Sequence, residues 1–433
     1  MITDLLTFGI VLSAILARGA NRPWSMALFS SLAILTLAGM LIQDIWRGRL
    51  RLRTGCVSIP LLAFIALVGL QYLRPHADLD SRPGLLPYTV EPYATSQYLL
   101  VALGCFAVAF CVVHGFRSRD QVSRLVVAII ALGVFEACYG LVQRLGGFHY
   151  IWGDPIGDSF AHGTIPNHNH YALLLNIVIS IGVGHLYRRT TVLLRGQKIT
   201  LRAILAMPDS PKLIWILVWL AIMGLGVFAS LSRTGIFAMF VCLGFMVTAI
   251  WLAEGKKYAV VLVFSVAIAI TGLVLYAGVD AAFERYAELA QPGQIEAGRV
   301  SLWRDAWPMI WETPWFGKGL GSFQWTFRAY ETELPDIPAV YAHNDYLQIL
   351  AETGIVGLSL VIWVFAACWR TACRNLLDPD PMVRGIGLAV IGVLAAAAIQ
   401  EITDYSLYIP GIAALFFLLI GLNERARWLK QSK

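Results

Sequence analysis

Charged residues are scarce in this sequence. Asp, Glu, Lys and Arg make up 14% of the 433 residues, whereas hydrophobic residues make up 58%. A soluble domain carries roughly 25% charged residues, so this chain has too little polar surface to cover a water-facing globule. The apolar residues form long runs without strict alternation, which excludes a disordered chain and a transmembrane β-barrel. The composition therefore predicts an all-α integral membrane protein.

Cysteine use gives no sign of a disulfide framework. The seven cysteines lie in or beside apolar runs, and none stands in a long polar loop. The net charge of +6 is modest and unevenly placed, so we expect no nucleic-acid partner.

Twelve apolar segments are long enough, or nearly so, to cross a bilayer as helices, which takes about 20 residues each. No small-residue cleavage site follows the first and shortest segment before Arg18, so we expect this segment to be retained. The fold prediction is one polytopic membrane domain over 1–433. The predicted spans are 4–17, 24–45, 55–73, 96–116, 122–142, 171–187, 213–231, 234–253, 258–278, 354–370, 385–402 and 406–422.

The placement of Lys and Arg predicts the orientation. About two thirds of the 33 basic residues fall in the even-numbered connections and the C-terminal tail. The positive-inside rule then makes both termini cytoplasmic and the odd-numbered connections periplasmic, with Arg18 and Arg22 as exceptions. The largest outer connection, a periplasmic loop at 279–353, is acidic and rich in tryptophan.

Tryptophans in this loop recur every four residues, at Trp303, Trp307 and Trp311. On a helix this spacing makes one aromatic face. Such a face suits a helix lying at the membrane interface. Packing onto the transmembrane bundle would satisfy it equally well.

Two basic side chains at the predicted outer boundary could carry chemistry. Arg233 stands between two apolar runs, where its guanidinium could bind a phosphate bidentately or reach lipid headgroups. His343 stands shortly before the predicted tenth span, where it could act as a general base near neutral pH. A lone loop histidine is more often inert, and spacing alone leaves these alternatives open.

Six short motifs follow one another along the middle of the chain. They are Asn167-His168-Asn169-His170-Tyr171-Ala172, Ser232-Arg233, Gly298-Arg299-x-x-x-Trp303, Pro314-x-x-Gly317-x-Gly319, His343-Asn344-Asp345-Tyr346-Leu347-Gln348 and Glu352-Thr353-Gly354-Ile355-x-Gly357. In this order they resemble the O-antigen ligase and polymerase superfamily. The resemblance covers about residues 135–360 and depends on the order of the motifs, since each is weak alone.

The resemblance implies a metal-independent glycosyltransferase of the C-type fold class, multi-pass in the bacterial inner membrane, with its active site on the periplasmic side. Its donor would be a glycan on undecaprenyl diphosphate, and its acceptor lipid A-core or another glycan. No cofactor is implied. The resemblance makes His343 the catalytic residue and Arg233, Arg299 and, less closely, Arg285 the diphosphate-binding residues. The supporting candidates are Asn344, Asp345, His170 and Asn169.

Metal sites are the main chemical alternative. Asp78 and Asp80 form an Asp-x-Asp pair of the kind that metal-dependent lipid-linked glycosyltransferases use, although a solvated acidic loop also explains it. Imidazoles for zinc could come from His162, His168 and His170. Two acids within apolar segments, Glu136 and Glu401, are functional candidates by their position.

Three functions remain in competition. We favour O-antigen ligation, because the acidic loop is compact and the sequence has no large extra domain. An O-antigen or exopolysaccharide polymerase would use the same motifs. A transporter without chemistry is disfavoured, because the two halves do not match and the polar residues gather on one face.

The orientation can be tested with reporter fusions after residues 90, 160 and 320. We expect all three fusions to report a periplasmic location, because they follow odd-numbered spans. A cytoplasmic signal from any of them would contradict the twelve-span arrangement.

Overall fold

The computed structural model describes residues 2–48, 55–76, 86–193, 210–255, 294–332 and 339–429. Within these ranges the chain is mostly helical, and two short strands form a hairpin. The helices are α1 (Ile2–Leu16), α2 (Pro23–Trp46), α3 (Ser58–Tyr72), α4 (Pro92–Gly115), α5 (Arg119–Gly146), α6 (His168–Leu193), α7 (Ser210–Ala229), α8 (Arg233–Glu254), α9 (Gln294–Glu312), α10 (Phe323–Phe327), α11 (Asp345–Leu376), α12 (Pro381–Gln400) and α13 (Pro410–Ala426); the strands are β1 (Tyr150–Ile151) and β2 (Asp154–Pro155).

Eight helices in the described ranges are long and apolar enough to cross a membrane: α2, α4, α5, α6, α7, α8, α11 and α12. Two further apolar helices, α1 and α3, are shorter. These findings confirm an all-α membrane protein. The predicted span at 258–278 lies outside the described residues, so the number of twelve spans stays a prediction.

Helix ends differ most from the predicted ones near the outer motifs. Helix α11 joins two helical segments across Gly354, whose φ of +65° is not helical. The first segment begins at Asp345, where Asn344 caps it: its side-chain oxygen accepts the Leu347 N–H at 3.0 Å. The second segment begins where the predicted span does, at 354. Hydropathy does not register this polar first part of the helix. Helix α13 begins only at Pro410, after a segment that contains one short 3₁₀ helix (Ser406–Tyr408) and that we call the 401–409 turn.

Two helices, α6 and α12, form the centre of the bundle. Most of the apolar side chains of α12 are buried, and the membrane-crossing part of α6 is buried entirely. Their backbones touch at glycine: a Cβ on Gly184 would stand 2.3 Å from the carbonyl oxygen of Gly385. Small residues allow such close helix packing inside a membrane. We expect this close packing to fix the positions of the helix ends next to it.

A turn that contains Gly317, Gly319 and Gly321 is hydrogen-bonded to α11. The backbone N–H of Gly319 donates to the carbonyl of Glu352 at 2.9 Å, and the Glu352 carboxylate accepts the N–H groups of Gly321 and Phe323 at 2.8 and 3.1 Å. Gly354 has a φ of +65°, and a Cβ there would stand 2.2 Å from the carbonyl carbon of Trp315. The Pro-x-x-Gly-x-Gly and Glu-Thr-Gly motifs therefore have a structural role, because they join this turn to α11.

The tryptophan face of α9 has a divided role. Trp303 is half-buried, and its indole N–H donates to the carbonyl of Ala342 at 2.8 Å. Trp307 and Trp311 are exposed. The adjacent face, with Ala306, Met309 and Ile310, packs into a small apolar cluster with α10 and α11, and Trp303 packs against this cluster. Trp303 thus joins α9 to the loop that carries His343.

We predict that Gly354→Ala lowers stability severely. A side chain at this φ costs about 1–3 kcal/mol before the clash with Trp315 is counted. Gly69→Ala on α3, where no atom lies within 4 Å of the added Cβ, is the matched control and should be neutral or slightly stabilising. Unfolding midpoints in detergent measure both changes. Equal midpoints for the two variants would contradict a structural role for the contact between Gly354 and Trp315.

Candidate active site

Four helix ends converge on the 401–409 turn: the N-termini of α6, α8 and α11 and the C-terminus of α12. The Nε2 atom of His170 on α6 lies 3.2 Å from Oδ1 of Asp404, and both side chains are buried. The hydroxyl groups of Thr234 on α8 and Thr403 are 2.7 Å apart. Three N-termini at one place favour an anion, because each presents the positive end of a helix dipole.

His343 lies in the loop before α11, against this turn. Its imidazole packs edge-on to the ring of Tyr405, with 4.9 Å between the ring centroids. Its φ of +49° is unusual for a residue with a side chain. The preceding Ala342 is held on both sides, because its N–H donates to Gln348 and its carbonyl accepts from Trp303. The conformation of His343 is therefore imposed by its surroundings.

The environment of His343 favours the neutral imidazole. Burial and the nearby Arg299 guanidinium lower its pKa to about 4, and the Asp404 carboxylate opposes the shift. Within the described residues, Nδ1 has no hydrogen-bond partner. At neutral pH the ring can therefore accept a proton.

Asp404 and Tyr405 complete the site around the two histidines. Burial would raise the pKa of Asp404, but the interaction with His170 lowers it, so the carboxylate is charged at neutral pH. The Tyr405 ring also packs edge-on to His170, with 4.6 Å between the centroids, and its hydroxyl bonds to Asn167. One aromatic ring thus contacts both imidazoles.

The arginines predicted to bind phosphate occupy different positions. Arg299 is half-buried on α9 and close enough to influence both His343 and Tyr405. Arg233 is the exposed first residue of α8, beside the Thr234 that bonds to the 401–409 turn. Arg285 lies outside the described residues.

The predicted supporting residues mostly connect helix ends and loops to one another. Asn344 caps α11, as described above. The carbonyl of Asn169 accepts a bond from the Gln400 amide at 2.6 Å. The side chain of Asp345 interacts with Glu401 and Asp404. Of the four supporting candidates, only His170 contacts the aromatic ring that also contacts His343.

The histidines considered for zinc are each held by a separate protein group. His162 lies 2.7 Å from Asp158, and His168 lies 2.9 Å from the carbonyl oxygen of Ser230. No group of three His, Cys, Asp or Glu with metal-binding geometry occurs in the described part of the chain. Asp78 and Asp80 lie outside it.

An apolar cavity of about 180 Å³ opens beside the site between α3, α4, α11 and α13. Leu61, Cys105 and Val364 line it on the side away from the turn, and Asp345 and Glu401 line its polar end. A cavity of this kind can hold an apolar chain.

Sequence reasoning missed Asp404, Tyr405 and Tyr341, which stacks on Tyr405 with 4.0 Å between centroids. One signal was present. Glu401 and Asp404 stand in a short break between two apolar runs, where a hairpin needs no acids.

Comparison with known proteins supports the region found here. The family model described as O-antigen ligase matches residues 218–362, about a third of the chain. This stretch includes Arg233, Arg299 and His343 but neither His170 nor Asp404. No curated protein matches the chain.

Proposed function

Through residues 218–362 the chain belongs to an O-antigen ligase-like family, and we propose that it is a periplasm-facing, metal-independent glycosyltransferase of the bacterial inner membrane. It moves a glycan from undecaprenyl diphosphate to an acceptor hydroxyl, and ligation of O-antigen to lipid A-core is the reaction that we favour. The observation that carries the proposal is the neutral His343 beside Arg299, at the convergence of three helix N-termini.

The chemistry needs a base and an anion site. The oxygen of the acceptor hydroxyl attacks the anomeric carbon, and the bond from this carbon to the diphosphate oxygen breaks. The electron pair leaves with the diphosphate, while the hydroxyl proton passes to an imidazole nitrogen of His343. A hydroxyl has a pKa far above 7, so a base that accepts its proton during attack lowers the barrier.

The leaving diphosphate gains negative charge in the transition state. Arg299 and Arg233 can donate hydrogen bonds to it in place of a metal ion, and a guanidinium fits phosphate oxygens in two-point contacts. The N-termini of α6, α8 and α11 add a favourable field.

Asp404 stabilises His343 once it has accepted the proton. When His343 takes the proton it becomes a cation, and the buried Asp404 carboxylate already acts on it electrostatically. His170 fixes that carboxylate. The arrangement stabilises the protonated base without a direct bond between His343 and Asp404.

Arg233→Ala and Arg299→Ala should each reduce transfer about a hundredfold while insertion is retained. Loss of one donor to developing charge costs about 3 kcal/mol. Arg→Lys should restore little, because an ammonium group cannot make the planar contact. Transfer from a purified lipid-linked glycan measures the effect, and Arg144→Ala, an exposed arginine on α5, is the control. Full activity of both lysine variants would contradict the role in diphosphate binding.

His343→Ala and His343→Gln should each lose about 10²–10⁴-fold in kcat, the usual contribution of a general base. Glutamine keeps a hydrogen-bonding side chain but cannot take the proton. The same assay measures both variants, with and without a chelator. Wild-type-like activity of His343→Gln, or activity that depends on an added divalent ion, would remove this assignment.

The pH dependence gives an independent test of the base. A base with a pKa of about 4 stays active as the pH falls from 7 to about 5, and loses activity only below that. Since Arg299 lowers this pKa, the acid limb of kcat/KM should move upward in Arg299→Ala and stay in place in Arg299→Lys. An acid limb in the same place for both variants would contradict the contact.

The reaction product distinguishes ligation from polymerisation. Purified protein is supplied with lipid-linked glycan, alone or together with lipid A-core. A ligase attaches the glycan to lipid A-core, whereas a polymerase lengthens the lipid-linked chain when no other acceptor is present. We expect product only when lipid A-core is added.

A further inference from the structure

Two buried carboxyl groups meet where the His343 loop lies against the 401–409 turn. Asp345 is the first residue of α11, and Glu401 directly follows α12. Both side chains are buried, both line the polar end of the cavity described above, and each acts on the charge of the other. The transfer chemistry described above uses neither of them.

Backbone contacts make this pair a junction between the two catalytic segments. The N–H of Asp345 donates to the carbonyls of Glu401 and Asp404, at 3.0 and 3.1 Å. The Oε2 atom of Glu401 accepts the N–H of Ser406 at 2.7 Å. Glu401 therefore connects Ser406, which follows Asp404 and Tyr405 in the turn, to Asp345, which follows the His343 loop.

A hydrogen bond between two carboxyl groups requires a proton on one of them, since a carboxylate has none to donate. Oδ1 of Asp345 and Oε1 of Glu401 are buried and accept no hydrogen bond from another donor within the described residues, so these two oxygens are available to share a proton. A second negative charge here would be desolvated and unpaired.

Among the described residues, the surroundings that act most strongly on the pair are apolar or acidic. One side is the apolar cavity described above. The titratable groups facing the pair are acids and phenols: Asp404, Glu352, Tyr341, Tyr346 and Tyr408.

We propose that Asp345 and Glu401 share one proton at neutral pH and act as positioning residues that hold His343 against Asp404 and Tyr405. The shared proton lets two acids join the segments without placing two charges beside the cavity. The kinetic consequence rests on the proposed function, whereas the shared proton itself does not.

Infrared spectroscopy of the purified full-length protein tests the shared proton without any substrate. The carbonyl stretch of a protonated carboxyl group is separate from that of a carboxylate. At neutral pH, spectra of wild type minus Asp345→Asn, and of wild type minus Glu401→Gln, should each contain this band. The control Asp120→Asn, an exposed carboxylate on α5, should not remove it. A band of undiminished intensity in both amide variants would overturn the proposal.

Kinetics test the positioning role. Asp345→Ala and Glu401→Ala should lower kcat by about tenfold or more, since a small displacement of a catalytic group is costly, with little change in KM for the donor. The side-chain amide N–H groups of Asp345→Asn and Glu401→Gln can donate the missing hydrogen bond without a titratable proton. These two variants should therefore recover most of that loss.

The variants also separate this role from general stability. An alanine variant that is merely less stable would keep its kcat per folded molecule, and that outcome would overturn the positioning role. Equal damage from amide and alanine at both positions would overturn it as well. If wild-type protein transfers no glycan, the proposed function fails, and the infrared bands still decide whether the proton is shared.

Discussion

The docking of the His343 loop against the 401–409 turn is the contact on which the site depends. One backbone N–H, that of Asp345, bonds to two carbonyls of the turn. The contact sets where α11 begins, which places His343 one residue before its cap, beside Tyr405. Without it, the two histidines would belong to separate helix ends with no common ring between them.

Burial shapes the electrostatics of the site. Taking His343 out of water and placing Arg299 near it both favour the neutral ring. The same low-polarity surroundings strengthen the attraction between its protonated form and Asp404. A base that is neutral at rest and stabilised once protonated is what attack by a hydroxyl group requires. Substrate anions attracted to Arg299 and Arg233 would further stabilise the protonated form.

Hydropathy predicted the helices well, and every predicted span within the described residues overlaps a helix. It missed the short polar segment of α11 that Asn344 caps before the break at Gly354, and it placed the start of α13 before Pro410. The family resemblance named His343 and Arg299, and the structure places these two residues close enough to interact. The resemblance could not find Asp404, because an acid in a short interhelical turn has no distinctive spacing. Its importance comes from long-range contacts with α6 and the His343 loop.

The structural motifs illustrate the same limit from the other side. The Pro-x-x-Gly-x-Gly and Glu-Thr-Gly segments belong to the family-like pattern, yet their polar groups bond to each other. Asp345, a supporting candidate in the sequence, interacts with Glu401. A motif gives the residue types, whereas the partners of each residue follow only from packing between distant segments.

The most direct test of the account is an experimental structure with a lipid-linked diphosphate donor bound. The account predicts diphosphate oxygens within hydrogen-bonding distance, about 3 Å, of both Arg233 and Arg299, with the anomeric carbon facing His343. A donor whose diphosphate is held elsewhere, with His343 remote from the sugar, would contradict it.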